Sequence, residues 1–284
     1  MFLTRLGCAY IVAYVSCVCA IPFVAALDIP KFSRIVVFGD SLVDNGNGTY
    51  TLSNHTWPSD PAYFDGRFSN GMTWPEQLAS MLNITHVNDY AYGSATTDNR
   101  IAAGYSGYNS TLPVPDVRGQ VSMYLKHVED RADPDALYVV SGGSNDIFFG
   151  VSSTRNVTQL ACDAVAALQR DAARLRRHGA RTILVPTLSE MQVSPWATHY
   201  ADSSTRTSTK HFTRLVNEQL RSWARNQHGG KHPIKLFDVY NLEADILKNP
   251  SRYQLRNTHD ACLVGTQKLE RVKGLLLLGS LSPY

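Results

Sequence analysis

Between Phe38 and Gly48 the chain reads FGDSLVDNGNG, which sets one serine, Ser41, among two aspartates, two asparagines and three glycines. A serine hydroxyl at a sharp turn can be presented to solvent with backbone N–H groups around it, and it becomes a nucleophile when a base takes its proton. Serine is also a common helix N-cap, so Ser41 alone does not decide the matter. Two further positions carry a similar ambiguity. Gly93, in NDYAYGSATT, offers a bare backbone N–H that a ligand can approach closely, or it is a turn glycine. Asn145, in SGGSNDIFF, has a side-chain amide able to donate to a developing oxyanion, or it forms an Asx-turn. Together, a hydroxyl, a backbone donor and an amide donor are the parts that acyl transfer requires. One attacks a carbonyl and the others hold the charge that forms on its oxygen.

Each of these residues follows a run of strand length. RIVVFGD (34–40), HVNDYAYG (86–93), DALYVVSGG (135–143), RTILVPT (181–187) and IKLFDVY (234–240) read as strands. The last three are short apolar runs bounded by turn signals, as expected when both faces of a strand are covered. Helical patterns lie between them. TWPEQLASML opens with a capping box from Thr73 to Glu76; VRGQVSMYLKHV, VTQLACDAVAALQRDAARLRRHG and STKHFTRLVNEQLRSWARN follow, with Gly179 as a stop signal. Strand and helix in alternation predict an α/β fold, a parallel sheet with helices on both faces. Ligands of such sheets bind beyond the carboxyl ends of the strands, where Ser41, Gly93 and Asn145 all fall.

At these residues the sequence resembles the GDSL, or SGNH, hydrolases, a family of esterases and lipases. FGDSLVDNGN matches the family's first block, Gly93 stands in the second, and Asn145 in the third, as GSND. YFDGRFSNGMTWPEQLA, VPDVRGQVSMYL, GARTILVPTLSEMQVSP and IKLFDVYNLEADILKNPSRY look like the branch of secreted lipases and acylhydrolases, so the resemblance runs in order from Ile35 to Leu263. It implies a flavodoxin-like, three-layer fold with a five-stranded parallel sheet. It implies Ser41 as nucleophile, with an oxyanion hole made by the N–H groups of Ser41 and Gly93 and the Asn145 amide. Asp40 is expected to order the turn, and Asp44 and Asn47 to brace the loop beside it. The implied substrate is a carboxylic ester, of an acetylated carbohydrate or of a lipid acyl chain. The chemistry uses no cofactor and no metal, and no Cys/His cluster is spaced to bind one.

The resemblance stops near the carboxyl end. The family finishes with a D-x-x-H block whose histidine is the general base, whereas this sequence has no D-x-x-H and continues after HDACL (259–263) as VGTQKLERVKGLLLLGSLSPY. His259 is the histidine nearest to that position, and it reads as structural. The implied enzyme is therefore impaired. Either it is a homologue that binds carbohydrate or lipid without turning it over, or residues 264–284 stand in place of the family's last block. WPSDPAYFDGRF (57–68) interleaves aromatic and polar residues, and forms either a substrate platform or a loop that packs its own rings.

The start of the chain sets a compartment. MFLTRLG followed by CAYIVAYVSCVCAIPFVAAL reads as a secretory leader over residues 1–26, with Ala25 and Ala26 suiting a cut before Leu27 and one domain over 27–263. Five Asn-x-Ser/Thr sequons, at Asn47, Asn54, Asn83, Asn109 and Asn156, fit an extracellular glycoprotein. Cys8, Cys17 and Cys19 leave with the leader; Cys162 and Cys262 remain, and in an oxidising compartment they are expected to form one disulfide. A net charge of +3 with both signs mixed argues against a nucleic-acid partner, and a monomer is expected. The basic run RDAARLRRHGAR reads as the wet face of a helix, with Leu168, Ala172 and Leu175 on the opposite face from Arg170, Arg174 and Arg177.

Overall fold

IVVF forms β1 (Ile35–Phe38), and all four of its side chains are buried because strands pair with it on both edges and helices cover both faces. The computed structural model describes residues 31–150, 156–199, 201–227, 229–261 and 263. The expected leader and the 264–284 tail lie outside them. In chain order β1 is followed by α1 (Thr49–Leu52), α2 (Trp74–Met81), β2 (Val87–Asp89) and a short hairpin of β3 (Tyr105–Ser106) and β4 (Leu112–Pro113). Then come α3 (Val117–His127), β5 (Leu137–Val140), α4 (Ser144–Gly150), α5 (Val157–Arg177) and β6 (Thr182–Pro186). The described chain continues through α6 (Pro195–His199), α7 (Ser203–Asn226), β7 (Ile234–Phe237) and α8 (Val239–Lys248).

The main sheet is parallel throughout, in the order β2-β1-β5-β6-β7. Phe38 pairs with Val140, and Tyr138 with Ile183. Strand side chains alternate between faces, so Val36, Phe38, Tyr138, Val140, Ile183 and Val185 pack on α3, α5 and α7. Ile35, Val37, Leu137 and Val139 meet Trp74, Leu78 and Ala79 of α2 on the other side. The chain winds outward one way from β1 to β2 and then the other way from β5 to β7. The crevice between the carboxyl ends of β1 and β5 is thus the switch point at which doubly wound sheets bind ligands. This is the three-layer α/β fold with five parallel strands that the sequence predicts.

Two expected elements differ. HVNDYAYG gives only a three-residue strand, although beyond it Tyr90 N still donates to Val37 O at 2.9 Å and Tyr92 N to Gly39 O at 3.1 Å, while the Asp89 carboxylate accepts from Ala91 N at 2.8 Å and Asn45 N at 3.1 Å. IKLFDVY leaves its strand at Phe237, because the Asp238 side chain accepts from Asn241 N at 3.2 Å and caps α8. The capping box of α2 forms as expected, with Glu76 Oε2 accepting from Thr73 N at 2.8 Å. Cys162 is exposed on α5, where its Sγ accepts from Gln219 Nε2 at 3.7 Å; its expected partner, Cys262, lies outside the described residues. Among the described residues no helix is long and apolar enough to cross a membrane.

Candidate active site

The turn after β1 is built from buried polar side chains. Gln120 of α3 accepts from Gly39 N at 2.8 Å and donates to Gly39 O at 2.9 Å, so the backbone leaving the sheet finds its hydrogen bonds in a core residue. Asp40 is buried; its Oδ1 accepts from Leu42 N at 3.1 Å, and its carbonyl accepts from Val43 and Asp44 N. Burial raises its pKa to about 6. Ser41 sits half-buried on this turn, three residues past the strand, and caps no helix among the described elements.

Asp44 is fully buried and gathers four backbone donors: Gly46 N at 3.0 Å, Gly48 N at 3.3 Å, Thr49 N at 3.0 Å and Gly93 N at 2.9 Å. Burial raises its pKa, and the donors work against that rise by favouring the charged form. One carboxylate thereby joins the loop after β1 to the loop after β2. Gly48 must be glycine, since a Cβ there would lie 1.9 Å from the Ala91 carbonyl oxygen. Asn47, expected to brace this loop, has an exposed side chain. Its backbone N–H donates to Asn45 Oδ1 at 3.1 Å, so the brace is Asn45 together with Asp89.

Gly93 differs from the expectation more sharply. Its N–H is engaged by Asp44, and it does not line the cavity that holds Ser41. The reason for glycine is steric: a Cβ would stand 2.2 Å from Cε2 of Phe68, whose ring covers this backbone. The next residue, Ser94, takes the left-handed conformation with φ of 69°. Asn145 does line the cavity, from the first turn of α4. Its Nδ2 donates to Ala95 O at 3.0 Å, which fixes the amide plane and leaves its second hydrogen for another acceptor. Behind it the buried Asp146 accepts from Thr97 N at 3.0 Å and Thr97 Oγ1 at 2.5 Å, tying α4 to the loop after β2. Burial raises the Asp146 pKa to about 6.

Asp40, Ser41 and Asn145 open into a cavity of about 520 Å³. Phe68, Met72, Trp74, Phe148 and Met191 give it apolar walls, and Glu190 and Glu243 stand in its lining. Of the aromatic stretch 57–68, only Phe68 reaches it. Tyr63 packs edge-on against Phe68 with centroids 6.1 Å apart, and Arg67 lies over Phe64 at 5.1 Å, so the stretch mainly packs its own rings. Among the described residues no histidine lines the cavity, and His259 sits in an exposed loop with its N–H donating to Asn257 Oδ1 at 2.9 Å.

Sequence reasoning missed the two glutamates. Glu243 Oε2 accepts from Glu190 N at 2.7 Å, and Tyr240 OH donates to Glu190 Oε1 at 2.7 Å. Glu190 follows β6 and Glu243 rides on α8, and the strand reading of IKLFDVY hid that helix. The Asp238 cap was the available signal. Burial raises the Glu243 pKa from 4.5 to about 7. A carboxyl that binds its proton more tightly when folded stabilises the fold at low pH, and that contribution is lost as pH rises towards 7. Glu243→Gln keeps an acceptor for Glu190 N and cannot ionise. Urea unfolding at pH 4.5 and 7.5 should therefore show the variant losing about 2–3 kcal/mol less than the parent across that interval.

Comparison with known proteins shows a family. The model of the GDSL-like lipase/acylhydrolase family matches residues 35–263. The phosphatidylcholine-sterol acyltransferase of Aeromonas hydrophila is 31% identical over 239 residues, covering 84% of this chain and 67% of that protein. The thermolabile hemolysin of Vibrio parahaemolyticus is 27% identical over 84% of this chain, which spans only 53% of the hemolysin's length. A GDSL esterase/lipase of Arabidopsis thaliana is 25% identical over 87% of this chain and 80% of its own. Among solved structures, a member of the lipolytic G-D-S-L family from Veillonella parvula aligns with a TM-score of 0.41 and 17% identity, over 75% of this chain and 82% of that one. From the first strand of the sheet to Leu263, this chain belongs to the GDSL-like lipase/acylhydrolase family.

Proposed function

We propose that the protein is a secreted carboxylic-ester hydrolase of this family in which Ser41 is the nucleophile, and that its activity is impaired because no histidine lines its cavity among the described residues. The observation that carries the reading is that Ser41 and Asn145 both line one cavity at the β1/β5 switch point. Ser41 Oγ would attack the ester carbonyl, and the oxyanion would meet the free hydrogen of the Asn145 amide and the Ser41 N–H. The alcohol would leave and water would release the acyl group. The apolar walls fit an acyl chain, and the acetyl ester of a carbohydrate is the competing substrate. Screening both ester classes with a catalytically repaired chain separates them. In such a chain Asn145→Ala should lower kcat by ~10²–10³ with the fold unchanged by circular dichroism. A drop below tenfold would remove the amide from the oxyanion site.

Among the described residues no histidine lines the cavity, which also favours a second reading, a non-catalytic protein that holds carbohydrate or lipid in the same place. It is distinguished by ligand binding that survives Ser41→Ala together with no turnover after repair. Secretion belongs to the proposal too. All five sequon asparagines that suggest glycosylation are exposed. Amino-terminal sequencing and intact mass of protein recovered from medium, before and after deglycosylation, should show a start near Leu27 and attached glycans; a retained 1–20 segment would defeat the leader.

A further inference from the structure

The basic run in α5 does more than face water. Arg170, Arg174 and Arg177 line a second cavity of about 350 Å³ together with Arg100 from the loop after β2 and Arg118 from α3. It shares no lining residue with the Ser41 cavity. Three separate segments therefore bring five guanidinium groups to one concavity. Their spacing within α5 places like charges one helical turn apart, which works against the helix.

The acids present do not neutralise this cluster. Asp98 is taken by Arg100, whose Nε donates to Oδ1 at 2.9 Å and whose Nη2 pairs with Oδ2, with Arg170 Nη2 a further 3.8 Å contact. Asp116, buried beside them, has both oxygens on backbone N–H groups, of Asn99 and Gly119. Arg174 Nη1 donates to Ser122 Oγ at 2.6 Å. Arg118 and Arg177 are exposed and, among the described residues, enter no ion pair. Asp171, the other acid of the lining, is only 3% exposed, and its Oδ2 is buried with no hydrogen-bond partner. The concavity thus combines guanidinium forks that suit a tetrahedral oxyanion with one buried oxygen in need of a shared proton.

We propose that this cavity is a binding site for a phosphomonoester dianion or monoanion, separate from the ester-hydrolysing site. Phosphomonoesters have a second pKa near 6, so around neutrality they can carry a proton for Asp171 Oδ2. Burial, then the neighbouring Asp116, raises the Asp171 pKa to about 7, so either partner can hold that proton. Sulfate and phosphodiesters have no proton to give at that pH. The ligand's chemistry fits a soluble phosphomonoester or a phosphatidic acid headgroup in a membrane.

The full chain is titrated at pH 6.5 with inorganic phosphate and with sulfate by calorimetry, and with phosphatidylcholine vesicles containing either phosphatidic acid or phosphatidylglycerol by co-sedimentation. Phosphate should bind at least ~10-fold tighter than sulfate, and Asp171→Asn, whose amide donates to either anion, should erase the preference. Arg118→Gln with Arg177→Gln should weaken phosphate at least ~10-fold without lowering the thermal midpoint and with ester binding unchanged, since among the described residues neither enters an ion pair and neither lines the Ser41 cavity. Vesicle binding that needs phosphatidic acid and both arginines assigns the site to the membrane, whereas phosphate binding alone assigns it to a soluble ligand. No binding of phosphate or of phosphatidic acid vesicles, equal binding of sulfate, or binding indifferent to the double variant would overturn the proposal.

Discussion

Replacing residues 264–284 with a family-type ending that carries D-x-x-H is expected to raise hydrolysis of a short-chain ester at least ~10³-fold over the parent chain. The expectation follows from what the cavity contains. Ser41 lines it, Asn145 can hold developing charge there, and the described lining offers no imidazole to take the serine's proton. A hydroxyl without a base keeps only what positioning and the oxyanion donors supply, roughly 10³–10⁴ over water in the best-studied serine hydrolases. Ser41→Ala in the repaired chain should then return the rate to background. The measurement is kcat/KM on an acetyl ester and on a longer acyl ester, with circular dichroism to show that the graft folds. Rapid, Ser41-dependent turnover by the ungrafted chain would show that another group already deprotonates Ser41. A folded graft that stays inert would favour the binding-protein reading.

The second large effect is on stability. Asp44→Ala should lower the unfolding free energy by about 3–5 kcal/mol, because four buried backbone N–H groups lose one shared acceptor and each orphaned group costs about 1–3 kcal/mol before relaxation. The buried charge that leaves offsets part of this, since burial alone already raises the Asp44 pKa. Asp44→Asn keeps one acceptor oxygen and should cost less than half as much. Denaturant unfolding of the three proteins tests the ranking. A loss below 1 kcal/mol for Asp44→Ala would mean that water replaces the carboxylate. Because Asp44 bonds to the loops after both β1 and β2, the repaired enzyme should also lose rate in Asp44→Ala beyond what its stability explains.

Much of this was legible in the sequence. β1, β5, β6 and β7 announced themselves as short apolar runs, and Thr73 and Glu76 marked the start of α2, because these signals depend on neighbours in the chain. The positions of Ser41 and Asn145 were legible for the same reason: each lies just past such a run. What the sequence hid depends on partners far away in the chain. Gly93 reads as a donor for an oxyanion until its N–H is seen on Asp44 and its missing Cβ is seen beneath Phe68. Asn47 reads as a brace until its side chain is seen exposed and its N–H is seen on Asn45 Oδ1. Glu190 carries no local pattern, and the Asp238 cap marks only the start of the helix that carries Glu243; it is the return of α8 to the sheet's carboxyl edge that sets Glu243 Oε2 on Glu190 N. The arginines of α5 read as an ordinary wet face because Arg100 and Arg118 belong to other elements.

The pairing of Phe38 with Val140 has a consequence for how such a protein can change. Ser41 and Asn145 stand a few residues beyond those partners, after the ends of adjacent strands whose separation, about 4.8 Å, is set by backbone hydrogen bonds and not by side chains. The distance between the Ser41 hydroxyl and the Asn145 amide is therefore metered by the sheet itself. The other parts of the cavity lining, the 68–74 segment, the turn after β6 and α8, hang from that frame at its rim. They can be lengthened, exchanged or re-aimed without moving the two central groups. The shape of the cavity is thus changed by editing the rim, while a one-residue slip of β1 against β5 would displace both central groups outright.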